Sequence, residues 1–224
     1  MTDRIVVAPA GREPVLEEGD VVIRLVPGVA FGTAEHGTTR GCLRLLERLV
    51  QPGQRVADIG AGSGILSIAA ARLGAGRVVA LERDPLACDT ARKNVVANGV
   101  TDRVEVRQVD VESGDLRRLA GLDAPGRPPP KTRREGDAPV SPAGQDGIVA
   151  NLETAIILRL LPGFRDALAP GGWLVLSGLP ADEPRHVRGA ASALGLELWD
   201  ELHVDGWWAG CLRRSEARRR RTSA

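Results

Sequence analysis

Val56-Ala-Asp58-Ile-Gly60-Ala-Gly62-Ser-Gly64 decides the fold. The short apolar run Arg55–Ile59 reads as a buried strand, and Ser63–Leu73, rich in Ala, Leu and Ile and stopped by Gly74, reads as the helix after it. Gly60, Gly62 and Gly64 lie between them in a GxGxG spacing. Small residues there let backbone amides approach a ligand closely, and the N-terminal dipole of the helix points at the same place. The dinucleotide fingerprint is GxGxxG, but position 65 is Ile and the third glycine falls one residue early. Asp58, two residues before the first glycine, is also unlike that pattern. A carboxylate there is a polar anchor for a cationic cofactor or for the loop amides.

Outward from this turn the chain alternates strands and helices. Arg77–Glu82 is a second strand, and Pro85 stands where a first helical turn tolerates proline. Leu86–Asn98 is the next helix, with Asn98-Gly99 as its stop. Val104–Val109 and Ile148–Ala150 read as strands, Thr154–Leu168 as an apolar-faced helix, and Pro170-Gly171-Gly172 as a turn into the strand Trp173–Ser177. Asp182–Leu194 is helical. Leu196–Val204 and Trp207–Arg213, joined by Asp205-Gly206, form a hairpin. Such alternation with a closing hairpin predicts an α/β, Rossmann-like doubly wound sheet with an antiparallel edge. Glu82, ending the second strand, is placed to accept both hydroxyls of a ribose. Asp110, after the third strand, is either an acceptor for an adenine amino group or a solvated turn residue.

At 224 residues the chain fits one core with modest appendages, at roughly 150 residues per domain. An apolar content of 43% excludes a wholly disordered chain. Net charge is +1, but residues 213–221 carry six arginines and one acid, leaving 24 basic and 28 acidic residues elsewhere. The body is thus mildly acidic and not a nucleic-acid surface; only the basic tail, 214–224, offers such contact, and a solvated charge run is its plainer reading. Three cysteines without metal-ligand spacing predict neither disulfides nor a metal site and fit a reducing cytoplasm. The N-terminus lacks the apolar stretch of a signal peptide, and no run reaches the ~18 apolar residues needed to span a membrane. Residues 121–145 hold six prolines and four glycines, a composition expected to be a disordered insertion. It enters at the amino end of the strand Ile148–Ala150, away from the carboxyl ends where ligands bind.

Pro27-Gly-Val-Ala-Phe31-Gly-Thr-Ala-Glu-His36-Gly-Thr38-Thr39 precedes the first helix of the domain. It resembles the PGxAFGTGxHxTT signature of the PrmA-type methyltransferases that modify ribosomal protein L-eleven. Asp58-Ile-Gly-Ala-Gly-Ser-Gly-Ile-Leu, Val149-Ala-Asn151-Leu, Leu176-Ser-Gly-Leu and a late tryptophan (Trp207 or Trp208) match the same family in order. The resemblance runs from about Ile5 to Arg213 and implies a seven-stranded, S-adenosylmethionine-dependent methyltransferase of strand order 3-2-1-4-5-7-6, with residues 1–30 expected to be an N-terminal strand segment leading into a methyltransferase domain at 31–213. It also implies cofactor contacts at Thr39, Gly60, Glu82 and Asn151, to which Asp58, Gly62, Asp110 and Phe31 are added from position. Thr38 and Thr39 either cap the helix or donate to the cofactor carboxylate. Phe31 either covers the methionine part of the cofactor or packs under its loop. His36 either steers substrate or is structural. Asn151, as the catalytic candidate, accepts hydrogen bonds from a nucleophilic amine and holds its lone pair toward the sulfonium.

The expected activity is methyl transfer to a lysine or N-terminal amine of a protein, a ribosomal protein being one candidate. A small-molecule or RNA amine is the alternative. Asn151-Leu-Glu153-Thr lacks the Asn-Pro-Pro-aromatic run that holds a flipped base, which disfavours base modification. The family's enzymes carry an N-terminal recognition domain of roughly 100 residues, whereas this sequence starts near the catalytic unit. Val26, Ala34 and Gly37 depart from the signature, and so does Glu153. Cofactor and reaction type are therefore expected to carry over more firmly than the ribosomal substrate.

Overall fold

The computed structural model describes residues 4–26, 35–114, 116–119 and 144–215. Phe31, residues 121–143 of the proline-rich segment and the tail beyond 215 lie outside them. β1 (Ile5–Pro9) and β2 (Val21–Leu25) pair in parallel as a small sheet of their own. The body comprises α1 (Gly37–Leu49), β3 (Arg55–Ile59), α2 (Ile65–Arg72), β4 (Arg77–Glu82), α3 (Pro85–Ala97), β5 (Val104–Gln108) and the single turn α4 (Leu116–Leu119). It continues with β6 (Gln145–Asn151), α5 (Thr154–Ala167), β7 (Leu168–Pro180), α6 (Pro184–Ala193), β8 (Leu196–Val204) and β9 (Trp207–Arg214). Sheet order is β5-β4-β3-β6-β7-β9-β8, which is 3-2-1-4-5-7-6 when only these seven strands are counted. Five strands run parallel, and β9 lies antiparallel between β7 and β8. The doubly wound sheet with its antiparallel closing hairpin is what the sequence predicted.

Side-chain parity explains why these strands are apolar and where the site falls. Val56, Val78, Ala80, Val149 and Val175 face one core, shared with α1 and α2. Ala57, Val79, Leu81, Ile148 and Leu174 face the other, shared with α5 and α6. Burial on both faces is the rule for parallel sheets and makes their strands read as unbroken apolar runs. Polar residues therefore appear only where the strands end. By the same parity Asp58, Glu82 and Asn151 all belong to the α1–α2 face. Ile59 aligns with Leu81 on one side and with Ala150 on the other. Glu82 and Asn151 are each the next residue, so they flank Gly60, two strand spacings apart or about 10 Å. Between β3 and β6 the winding reverses direction, which is where doubly wound sheets bind ligands.

The pairing of β1 with β2 was not expected, and its reason lies in α3. Asn94 and Asn98, one turn apart on the helix and both buried, take the place of a third strand. Asn98 accepts from the Arg24 N–H at 2.8 Å and donates to the Arg24 carbonyl at 2.6 Å. Asn94 accepts from the Val26 N–H at 2.7 Å and donates to the Ser63 carbonyl at 2.8 Å. Asn94 thus ties the N-terminal arm to the glycine turn.

Other boundaries moved. Gly144 and Gln145, assigned to the insertion, are described, and Gln145 is buried in β6. Pro170-Gly171-Gly172 lies within the irregular β7 and does not precede it. Arg214 belongs to β9 and not to a tail; it donates to the Leu168 carbonyl, while the Arg213 guanidinium lies 4.6 Å over the Trp199 ring. Among the described residues no helix is long and apolar enough to cross a membrane. Cys42, Cys88 and Cys211 are buried free thiols.

Replacing Asn94 with leucine fills the space but removes its bonds to the Val26 N–H and the Ser63 carbonyl. We expect a loss of about 2–4 kcal/mol in urea unfolding; an unchanged midpoint would show that these bonds contribute nothing.

Candidate active site

Two strands position the glycine turn. The Gly60 and Ala61 N–H groups donate to the Leu81 carbonyl at 2.8 and 3.1 Å, and the Gly62 N–H donates to Glu82 Oε2 at 2.9 Å. Gly60, Gly62 and Gly64 have φ of 75°, 53° and 79°, a left-handed conformation costly to any residue with a Cβ. A Cβ on Gly60 would also stand 2.5 Å from Leu152 Cδ2. Gly64 is the N-cap of α2, which begins at Ile65 and not at Ser63. The second oxygen of Glu82 accepts the Arg83 and Asp84 N–H groups at 2.8 and 2.9 Å. The carboxylate is thereby fixed by three backbone donors and keeps capacity for a further acceptor contact.

A cavity of about 230 Å³ opens beside this turn. Thr39, Gly60, Gly62, Glu82, Asp110 and Asn151 all line it, with Leu81, Leu152 and Ile156 as apolar wall. The structure thus brings together six of the eight residues singled out from sequence. Phe31 lies outside the described residues. Asp58 does not line the cavity: it is 1% exposed, accepts the Ser67 hydroxyl at 2.6 Å, and its Oδ1 has no hydrogen-bond partner among the described residues. Asp110 is both a turn residue and part of the wall. Its Oδ1 accepts the Glu112 N–H at 3.0 Å, and its carbonyl accepts the Ser113 hydroxyl at 2.6 Å.

Neither threonine caps α1 as the sequence allowed, because the N-cap is His36 and it makes no side-chain capping bond. Thr39 is 1% exposed, and its Oγ1 has no partner among the described residues. A buried hydroxyl on the cavity wall with no partner among the described residues keeps a donor and two acceptor sites available to the cavity. Thr38, equally buried, accepts from Asn151 Nδ2 at 3.1 Å and lies 2.8 Å from His36 Nδ1. The His36 ring in turn meets Trp207, with centroids 4.9 Å apart.

Sequence reading missed this connection because its members sit on α1, β6 and β9, and no local spacing joins them. One signal was available in Gly37 and Gly41, a turn apart. A Cβ on the first would stand 2.5 Å from the Val204 carbonyl oxygen and on the second 2.7 Å from Ala209 Cβ. Gly37, a departure from the signature, is therefore the residue that lets the β8–β9 hairpin close onto the start of α1.

The lining fits a nucleoside cofactor with an amino-acid end: a fixed carboxylate to accept from vicinal hydroxyls, a glycine turn open to close approach, and a buried hydroxyl without a partner among the described residues. Sheet order and site together define a methyltransferase fold of the seven-stranded class. A sequence model described as "Ribosomal protein L11 methyltransferase (PrmA)" matches residues 1–215, and the chain belongs to that family. It is 44% identical over 214 residues to the ribosomal protein L11 methyltransferase of Chloroflexus aurantiacus, covering 95% of this chain and 64% of that protein. With the one from Pelotomaculum thermopropionicum it shares 42% identity, covering 96% and 61%. The chain therefore spans about three fifths of the length of these curated relatives. The crystal structure of a ribosomal protein L11 methylase from Lactobacillus delbrueckii subsp. bulgaricus superposes with a TM-score of 0.74 at 26% identity, covering 96% of this chain and 97% of that one.

Burial away from water pushes the Asp58 carboxyl up from 3.8 to about 6, against the hydroxyl and amide of Ser67, with the Glu82 charge adding to the rise. Folding takes up a proton between those two values. The neutral carboxyl's contribution to stability is complete below the lower value and is lost as pH rises through the upper. Asp58→Asn, which cannot ionise, is expected to gain on wild type by about 2 kcal/mol between pH 4 and pH 7. Denaturant unfolding at both pH values tests this; a difference that does not change with pH would place the proton elsewhere.

Proposed function

We propose that the cavity binds S-adenosylmethionine and that the chain moves its methyl group to an amine nitrogen of a protein, on a lysine side chain or an N-terminus, with a ribosomal protein as the substrate. What carries this is the pairing of Glu82 and Asn151 on either side of Gly60, each at a strand end and each lining the same cavity. Family membership supports both the cofactor and the protein substrate, and a cytoplasmic setting belongs to the same proposal.

When bound, S-adenosylmethionine supplies an electrophilic methyl carbon on a sulfonium. Glu82 accepts the ribose hydroxyls with the capacity its three backbone donors leave. Asp110 accepts from the adenine amino group. Thr39 donates its spare hydroxyl to the carboxylate at the amino-acid end. Asp58, behind the turn, favours a cation nearby once it is ionised. Asn151 Oδ1 accepts from the substrate amine, which arrives neutral after losing its proton to bulk water. Leu152 and Ile156 exclude water from that end. No covalent intermediate is required of the protein, so positioning and desolvation carry the rate.

Purified chain incubated with radiolabelled cofactor and a lysate from cells lacking the enzyme tests the substrate class. Label in a protease-sensitive product, in lysine or at an N-terminus, is expected; label in RNA or a metabolite would overturn it. Glu82→Ala is expected to weaken calorimetric cofactor binding at least about tenfold, the scale of one lost charged hydrogen bond, and unchanged affinity would remove the ribose role. Asn151→Ala is expected to lower kcat more than cofactor affinity; equal losses would make Asn151 a cofactor ligand only.

A further inference from the structure

We infer that Thr38 and His36 are positioning residues: through hydrogen bonds they fix which end of the Asn151 amide faces the cavity. The catalytic consequence rests on the methyl-transfer proposal above, whereas the polarity of the hydrogen bonds does not.

A hydroxyl has one proton to give and two lone pairs. Thr38 Oγ1, 2% exposed, faces both Asn151 Nδ2 and His36 Nδ1 at hydrogen-bond distance. If Nδ1 carries no hydrogen, it takes the hydroxyl proton, and Thr38 can only accept from Asn151. The amide then spends an N–H on Thr38 and leaves Oδ1 for the cavity. If Nδ1 carries a hydrogen, that hydrogen points at Oγ1 and the hydroxyl proton is released toward Asn151. The amide is then best satisfied reversed, with Oδ1 on Thr38 and its NH2 in the cavity.

The two arrangements are opposite in chemistry. An Oδ1 in the cavity accepts from an incoming amine and leaves the nitrogen lone pair available. An NH2 there meets the amine donor to donor, or else ties up the lone pair that must attack. Only the first serves transfer to nitrogen, and the Nε2–H tautomer of His36 enforces it, because the Thr38 hydroxyl then has no proton left to give Asn151. The ring is held for this by Trp207, with the hairpin seated against Gly37 and Gly41 and its turn joined to α1 by the Arg40–Asp205 pair at 2.7 Å. The β8–β9 hairpin thus reaches the reacting end of the cavity through one ring and one hydroxyl.

Three variants and one spectrum test this. Thr38→Val keeps the shape and removes the hydroxyl, Thr38→Ser restores it, and His36→Phe keeps a ring against Trp207 without Nδ1. Thr38→Val and His36→Phe are expected to lower kcat about tenfold or more while the cofactor Kd and the amine KM stay within about twofold, and Thr38→Ser to recover to within about threefold of wild type. In the cofactor-free wild type at pH 8.5, above the usual histidine range near 6.5, 15N NMR of His36 is expected to find Nδ1 without hydrogen and Nε2 bearing it. Wild-type turnover in a folded Thr38→Val, or Thr38→Ser as poor as valine, would overturn the inference. A protonated Nδ1 in the wild type would overturn it even if no amine substrate were ever methylated. Should Thr38→Val fail to fold, His36→Phe and the spectrum decide.

Discussion

The carboxylate of Glu82 is the joint on which the site turns. It closes on the Gly62 N–H across the end of the sheet and on the Arg83 and Asp84 N–H groups at the start of α3. Hydrogen bonds to a charged acceptor contribute about 1.5–3 kcal/mol each when sheltered. The Gly62 bond is partly buried, while the other two are exposed and weaker, so the hold on the turn dominates. With the turn fixed to β4, the register of β3 against β4 and β6 places Asn151 opposite without further adjustment. The acceptor capacity of a carboxylate lets the proposed binding role share one side chain with this structural role.

The opposite wall depends on α1. Its start reaches the end of β6 with the hairpin so close that a Cβ on Gly37 would meet the Val204 carbonyl and one on Gly41 the Ala209 side chain. The exposed Arg40–Asp205 pair contributes at most about 1 kcal/mol, so the close packing at Gly37 and Gly41, with Ala209 and Cys211 of β9 buried in the same core as α1, and not the ion pair, holds the hairpin there. Asn94 performs the matching task on the other flank, where α3 binds the N-terminal arm to the Ser63 carbonyl. Two helices and a hairpin thereby fix a cavity whose polar groups come from five different segments.

Much of this was legible. Parallel strands buried on both faces announce themselves as apolar runs, and the polar residue that ends each run marks the ligand side, so Gly60, Glu82 and Asn151 stood out. The strand order came from family resemblance, since periodicity does not rank neighbours. What stayed hidden depended on side chains meeting from distant segments. β2 is short and completed by two asparagines of a helix. Thr38 and Thr39 look like caps until His36 takes the capping position and Asn151 takes the Thr38 hydroxyl. Arg214 looks like the start of a basic tail, yet its guanidinium bonds a carbonyl and it remains within a strand. Asp58 reads as a ligand, but parity and the Ser67 hydroxyl turn it into the core.

Diffraction from crystals of the chain soaked with S-adenosylhomocysteine tests most directly whether this cavity is a nucleoside-sulfonium site. The ribose hydroxyls should lie on the Glu82 carboxylate and the amino-acid end should reach the Thr39 hydroxyl. A ligand bound elsewhere, or a cavity that takes a dinucleotide and refuses S-adenosylhomocysteine, would contradict it.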